Sequence, residues 1–179
     1  AHAYLFCGTR GVGKTTMARI LAKSLNCLEA DGPTVTPCLK CDSCISVNAG
    51  EDIDVVEIDG ASNRGIDNIR ELIQNAIYRP ARARFKIYII DEVHMLTKEA
   101  FNALLKTLEE PPRRVILLLT ADGIDSLLPT IVSRCQVLSL RAVARERIVA
   151  ALQERGVAQE RARLLASLSR GRVGWAIEA

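Results

Sequence analysis

Gly8-Thr9-Arg10-Gly11-Val12-Gly13-Lys14-Thr15 is the stretch whose reading decides the fold. It fits the spacing G-x-x-x-x-G-K-[ST], in which each fixed position has a physical task. The glycines let the backbone curl until its N–H groups point inward at phosphate oxygens. The helix that follows presents its positive N-terminal end to the same anion. Lys14 can reach the β- and γ-phosphates of a nucleotide, and the Thr15 hydroxyl can ligate Mg²⁺. The flanks agree: residues 2–7 are a short apolar run, and residues 14–26 set Met17, Ala18, Ile20, Leu21 and Leu25 at helical spacing. The expected nucleotide contacts are Gly8, Arg10, Gly11, Val12, Gly13, Lys14, Thr15 and Thr16.

About 75 residues later comes Ile87-Tyr88-Ile89-Ile90-Asp91-Glu92. Four apolar residues followed by two acids describe a central parallel strand with carboxylates at its tip. There Asp91 can hold the Mg²⁺ shell beside the phosphate loop. Glu92 can orient and deprotonate an attacking water, so the two acids divide the work. Thr120 ends the next apolar run and would stand beside Asp91, able to position the water or sense the γ-phosphate. Ser133-Arg134-Cys135 follows an apolar helical stretch at 127–132. Arg134 there reads either as a surface charge or as a finger that stabilises charge on a transferring phosphate.

Cys38, Cys41 and Cys44 repeat at C-x-x-C-x-x-C spacing, with Cys27 upstream. Four thiols on a polar insertion, with no disulfide context, fit a structural tetrahedral zinc site in a reducing compartment. Cys7 and Cys135 lie in apolar strand-like surroundings and read as small core residues.

Around these motifs, strands and helices alternate. Strands are expected at 2–7, 54–59, 86–91, 115–120 and 136–140, with helices at 14–26, 66–77 and 98–109 between them. Five strands with helical crossovers imply a parallel sheet covered on both faces, an α/β class. From residue 142 only helices follow, at 145–154, 159–167 and 173–179, the start of a small helical domain. The division is therefore a core at 1–141, with its cysteine insertion at about 27–50, and a helical part at 142–179.

Composition narrows the possibilities. The 179 residues are 49% apolar and 25% charged with net charge +3, which excludes disorder as the main state. The longest apolar runs, at 87–90 and 115–119, are far below a membrane span, so no membrane role is expected. No signal peptide opens the chain, and the sequence starts inside a domain. Only 4% of residues are aromatic, which argues against a stacking platform for single strands. The charge is uneven: 16 basic and 17 acidic residues in 1–140, against 8 arginines and 4 acids in 141–179.

With these strings assembled, the chain resembles the bacterial clamp-loader subunits of the AAA+ ATPases. His2-Ala3-Tyr4-Leu5-Phe6 leading into Gly11-Val12-Gly13-Lys14-Thr15-Thr16, the inserted zinc module, Asp91-Glu92-Val93-His94-Met95-Leu96, and Phe101 to Pro112 look like the gamma/tau subunit of DNA polymerase III. From Arg113 onward, including Leu127-Leu128-Pro129-Thr130 and Gly171 to Ala176, the chain reads more like the delta-prime subunit. The resemblance implies an AAA+ core with the start of a lid domain. It also implies ATP, Mg²⁺ and Zn²⁺ as cofactors and a cytoplasmic location. By it, catalysis falls to Glu92, Asp91 and Thr120, and Arg134 is a finger offered to a neighbouring subunit. The implied partners are other clamp-loader subunits in a hetero-oligomeric ring, a sliding clamp, and primed DNA held by its backbone. Asn63-Arg64 and residues 79–86 are candidate DNA contacts. The alternatives are a non-hydrolysing, delta-prime-like subunit and a P-loop switch for another DNA transaction. The family's lid carries Gly-x-x-Arg; here the string is Gly171-Arg172-Val173-Gly174, so Gly174 stands in place of Arg and Arg172 is expected on another side of the helix. By the same resemblance the chain starts after the segment that packs on adenine and stops before the third, oligomerising domain.

Overall fold

All seven residues of one strand, Val115–Ala121, are buried, and the molecule is laid out around it. Numbered in chain order, the strands are β1 (Ala3–Cys7), β2 (Val55–Asp59), β3 (Lys86–Asp91), β4 (Val115–Ala121) and β5 (Gln136–Ser139). They form a single parallel sheet of order β2-β3-β4-β1-β5. The structure is a computed structural model that describes residues 2–76 and 78–179. The predicted helix end at Ile77 and the start of the quoted resemblance at Ala1 lie outside the described residues.

Strand residues alternate between two cores, as the period of two requires. On one face Leu5, Cys7, Tyr88, Ile90, Leu117 and Leu119 pack on α3 (Ile66–Asn75) and α4 (Lys98–Glu109) through Ile69, Leu72, Leu104 and Leu108. On the other, Phe6, Ile87, Ile89, Ile116 and Leu118 meet Ala18 and Ala22 of α1 (Lys14–Asn26) and Val47 of α2 (Asp42–Ala49). Each fully buried Leu or Ile contributes about 1.5–3 kcal/mol. Not every helical position predicted as apolar turns inward. Met17 and Ile20 remain 40% and 39% exposed. The predicted helix at 127–132 is shorter: a 3-10 turn at Ile124–Ser126 precedes α5 (Pro129–Val132). Pro129 has no N–H to give an earlier turn, so it starts a helix rather than continuing one.

The cysteine insertion is tied to the core at several points. The buried Asn26 amide donates to the Phe85 carbonyl (2.9 Å) and accepts from the Phe85 N–H (3.1 Å). Arg84 donates to the carbonyls of Cys27 (2.8 Å) and Ala30. Asp54, fully buried, accepts three backbone N–H groups from Ala81, Arg82 and Ala83 at 2.7–2.9 Å. Burial raises the pKa of that carboxyl, but the three N–H groups more than offset it and hold it below its ordinary value. Arg82 donates to Asp52 (2.8 Å). Two of the basic residues expected to face DNA, Arg82 and Arg84, are thus committed to internal partners.

Beyond β5, α6 (Arg145–Glu154), α7 (Gln159–Ser169) and α8 (Val173–Glu178) share a separate cluster of Ile148, Leu152, Ala162, Ala166 and Ala176. Among the described residues, no helix is long and apolar enough to cross a membrane.

Candidate functional site

The C-terminal ends of β1, β3 and β4 lie side by side, which is where open α/β sheets bind ligands. Register sets Phe6 opposite Thr120 and Ile90 opposite Leu119, so Asp91 and Thr120 come level. Gly8 follows β1 and its N–H donates to the Ala121 carbonyl (3.2 Å). Gly11 and Gly13 hold φ of 85° and 96°, left-handed values that favour glycine.

These elements line an open cleft of about 500 Å³ that gathers Arg10, Gly11, Gly13, Lys14, Thr15, Thr16, Asp91 and Glu92. The Thr15 hydroxyl donates to both Asp91 oxygens, at 3.0 and 2.9 Å. A hydroxyl and a carboxylate so paired form the donor set that a hard, oxygen-seeking cation takes, so the residues fit Mg²⁺. Thr120 is fully buried beneath them; its hydroxyl donates to Asp91 and accepts the Glu92 N–H (3.0 Å). It supports both acids from below and does not line the cleft. Gly8 and Val12 do not line the cleft, and the Val12 N–H donates to the Thr9 carbonyl (3.3 Å).

Glu92 has φ 48° and ψ 47°, a left-handed conformation that costs a non-glycine residue about 1–3 kcal/mol. The Thr120 bond holds it there. So does Gly60, whose N–H donates to the Asp91 carbonyl (2.8 Å). A Cβ on Gly60 would stand 2.8 Å from the carbonyl oxygens of both Asp91 and Glu92. The close approach therefore requires glycine at 60.

Lys14 already has partners. Its ammonium donates to the Gly8 carbonyl (2.7 Å) and to Asp122 (2.8 Å), and only 8% of it is exposed. The Lys14 bond is the main cause that holds the Asp122 carboxyl below its ordinary pKa. His94 Nε2 lies 3.8 Å from the other Asp122 oxygen. Neither residue was singled out from the sequence. The usable signal was position: Asp122 is the first polar residue after a wholly buried strand, at the ligand-binding edge of the sheet.

Arg172 departs from expectation. It does not sit on another side of a helix, because α8 begins only at Val173. Placed ahead of that helix in extended backbone, it lines the same cleft, with Gly174, Trp175 and Glu178. Arg134 lies elsewhere, at the end of α5, donating to Glu109 (2.6 Å) and the Thr130 carbonyl (2.8 Å). It does not line the cleft.

The four cysteines of the insertion converge: the sulfurs of Cys27, Cys38, Cys41 and Cys44 all lie within 4.8 Å of one another. Zn–S bonds of about 2.3 Å at tetrahedral angles put sulfurs about 3.8 Å apart, so the cluster fits zinc with little adjustment. The Cys38 N–H donates to Cys27 Sγ (3.4 Å) and the Cys41 N–H to Cys38 Sγ (3.3 Å). Burial pushes the Cys44 thiol up to about 12. It raises Cys41 too, but the N–H groups of Cys44 and Leu28 outweigh it and bring that thiol down to about 6. Cys7 and Cys135 are set among apolar side chains instead, and burial raises both, Cys135 to about 11.

Comparison with known proteins agrees with this architecture. The family model described as DNA polymerase III, delta subunit matches residues 1–144. DNA polymerase III subunit tau of Escherichia coli is 54% identical over 147 residues, which are 82% of this chain and 23% of that protein. The chain thus spans about a quarter of that relative's length. The Thermotoga maritima RuvB Holliday junction branch migration motor superposes with a TM-score of 0.66 at 18% identity, covering 99% of this chain and 52% of that one. A DNA polymerase III gamma subunit-related protein of Thermotoga maritima gives 0.58 at 22% identity, covering 96% and 54%. The fold is that of an AAA+ core, and the chain belongs to the family described as DNA polymerase III, delta subunit, with DNA polymerase III tau and gamma subunits among its relatives.

Proposed function

We propose that this chain is the ATP-binding and ATP-hydrolysing part of a clamp-loader subunit, which opens a sliding clamp and places it on primed DNA. The observation that carries the reading is the pairing of Thr15 with Asp91 beside Lys14, at the end of a parallel sheet. Curled backbone at Gly11 and Gly13, with the start of α1, receives the phosphates. Lys14 leaves Asp122 for the β- and γ-oxygens. Thr15 and Asp91 hold Mg²⁺, which when bound neutralises charge on the phosphates. Glu92, fixed by Thr120 and Gly60, takes a proton from the attacking water. Zinc on Cys27, Cys38, Cys41 and Cys44 stiffens the insertion and takes no part in the chemistry. The core ends near residue 141, and the helices from 142 open a lid.

Partners follow from the same reading. Arg134 does not line its own cleft and is offered to the next subunit of a head-to-tail ring, a heterologous contact. DNA is gripped by its phosphates without sequence choice. A second reading, a non-hydrolysing delta-prime-like subunit, is favoured by one observation: the family model that matches residues 1–144 is described as DNA polymerase III, delta subunit. Steady-state ATPase measurement of the assembled complex with clamp and primed DNA separates the two. The proposal expects Lys14→Ala in this subunit to lower turnover; unchanged turnover would leave only the structural role.

A further inference from the structure

Asp122 stands between two donors and bonds only one of them. It follows the last residue of β4, and its Oδ1 accepts from Lys14 Nζ at 2.8 Å. Its Oδ2 lies 3.8 Å from His94 Nε2, about 1 Å beyond hydrogen-bond length. The imidazole has no better partner. It is only 15% exposed, and its Nδ1 is buried with no partner among the described residues. Buried polar atoms are ordinarily paired, so a ring with neither nitrogen bonded is an exception that asks for a cause. A proton on Nε2 has an acceptor close by and a proton on Nδ1 has none, so the neutral ring is assigned its N–H on Nε2.

His94 is joined closely to the acid of the cleft. It is the middle residue of the 3-10 turn Val93–Met95, which starts directly after Glu92. Val93 is fully buried, and the Met95 N–H donates to the Glu92 carbonyl (2.9 Å). Whatever pins the imidazole therefore pins the turn bonded to Glu92, the residue held in left-handed backbone. Asp122 is joined as directly to the phosphate loop, through Lys14. Its carboxylate is 51% exposed, and the phosphates of a nucleotide carry more negative charge than it does, so they take the lysine from it. The released carboxylate then has His94 Nε2 beside it.

We propose that Asp122 changes partner when nucleotide binds, giving up Lys14 and accepting the Nε2–H of His94, and that His94 is thereby a positioning residue that fixes Glu92 for hydrolysis only while the cleft is loaded. This rests on the nucleotide reading above and adds the link from loading to the catalytic acid. The unbonded imidazole of the empty cleft is the waiting half of that pair.

Nuclear magnetic resonance of the chain labelled with ¹⁵N-histidine tests this. There are two histidines, and His2, whose Nε2 is 3.0 Å from the Leu108 carbonyl, supplies a constant signal that also certifies folding in every variant. Wild type should show a second, slowly exchanging imidazole N–H only with Mg·AMP-PNP, a non-hydrolysed ATP analogue whose binding calorimetry confirms. Lys14→Ala frees Asp122 directly and should show that signal with no nucleotide; Asp122→Ala should never show it. In single-turnover hydrolysis by the assembled complex, His94→Ala should cost about tenfold in rate, the worth of one charged hydrogen bond, with ATP affinity within twofold. His94→Gln keeps an N–H donor and should recover most of that. His94→Ala combined with Asp122→Ala should lose no more than either alone, because the two act as one pair. Absence of the second signal from loaded wild type or from Lys14→Ala, or losses that multiply in the double variant, would overturn the proposal and leave the nucleotide reading standing. If wild type binds no nucleotide, both fall together.

Discussion

The cysteine cluster and the phosphate cleft are built in opposite ways. The cluster draws four ligands from a stretch between Cys27 and Cys44, and their sulfurs are already gathered. The cleft draws its walls from residues between Arg10 and Glu178, carried on the loop after β1, the start of α1, the end of β3 and the region of α8. The first is closed and has four like donors and no open position, which suits a metal that stays. The second is open, and its buried lysine is paired with the half-exposed Asp122 carboxylate. A locally encoded site serves permanence; a site assembled from distant segments can change with its ligand.

That contrast can be broken most forcefully at the metal. Binding to structural zinc sites is worth about 10 kcal/mol or more in small modules. Stripping zinc with a chelator should therefore loosen residues 27–50, read as faster amide exchange there, and leave cleft residues such as Thr120 protected. Equal loss of protection in both would mean that the two sites are one cooperative unit. Glu92→Gln comes next. Removing a general base costs about 10²–10⁴-fold in rate, so single-turnover hydrolysis should fall by at least a hundredfold. ATP affinity and zinc content should stay within twofold, and a loss of ATP affinity would move Glu92 from chemistry to binding.

Asp54 tests the seam between the regions, since its carboxylate holds the 81–83 backbone beneath the cysteine insertion. Charged hydrogen bonds of this kind contribute about 1.5–3 kcal/mol each, part of it offset by burial. Its folded pKa is depressed, so the stabilisation is present above the unfolded value of about 3.9 and is lost as pH falls through the folded value. Asp54→Asn should lower the melting temperature by several degrees at pH 7, and the gap to wild type should close towards pH 3. A gap that stays constant with pH would assign the effect to packing. The smallest effect is expected at Asp122. Asp122→Asn frees Lys14 from a charged competitor and should tighten ATP binding about three- to tenfold, an exposed carboxylate being easily replaced by water. Weaker binding would make Asp122 a nucleotide ligand rather than an occupant of its place.

Legibility in the sequence follows the same divide. Lys86–Asp91 and Lys98–Glu109 fall where apolar run and helical spacing place them, because each is bounded by local signals: an acidic pair after the strand, two prolines after the helix. The cysteine set could be read for the same reason. Asp122 could not, because its partner Lys14 lies 108 residues away and no periodicity links them. Arg172 is expected on another side of the last helix, but two left-handed residues, Arg170 and Gly171, set it in the turn before that helix begins. Met17 and Ile20 have the right spacing for burial, but spacing does not say whether a partner covers that face.

The order of the strands also bears on how the molecule is made. Of the five strands β1 leaves the ribosome before the others, yet both its neighbours, β4 and β5, are more than a hundred residues downstream. At about 5–20 residues per second, the phosphate loop spends roughly five to twenty seconds without a sheet to hold it. Nucleotide can therefore shape this fold only after β4 has emerged, whereas the cysteine insertion can take its metal once Cys44 has emerged. During that interval the apolar β1 segment is an unpaired strand, the kind of exposed edge that a chaperone or a neighbouring nascent chain would meet first.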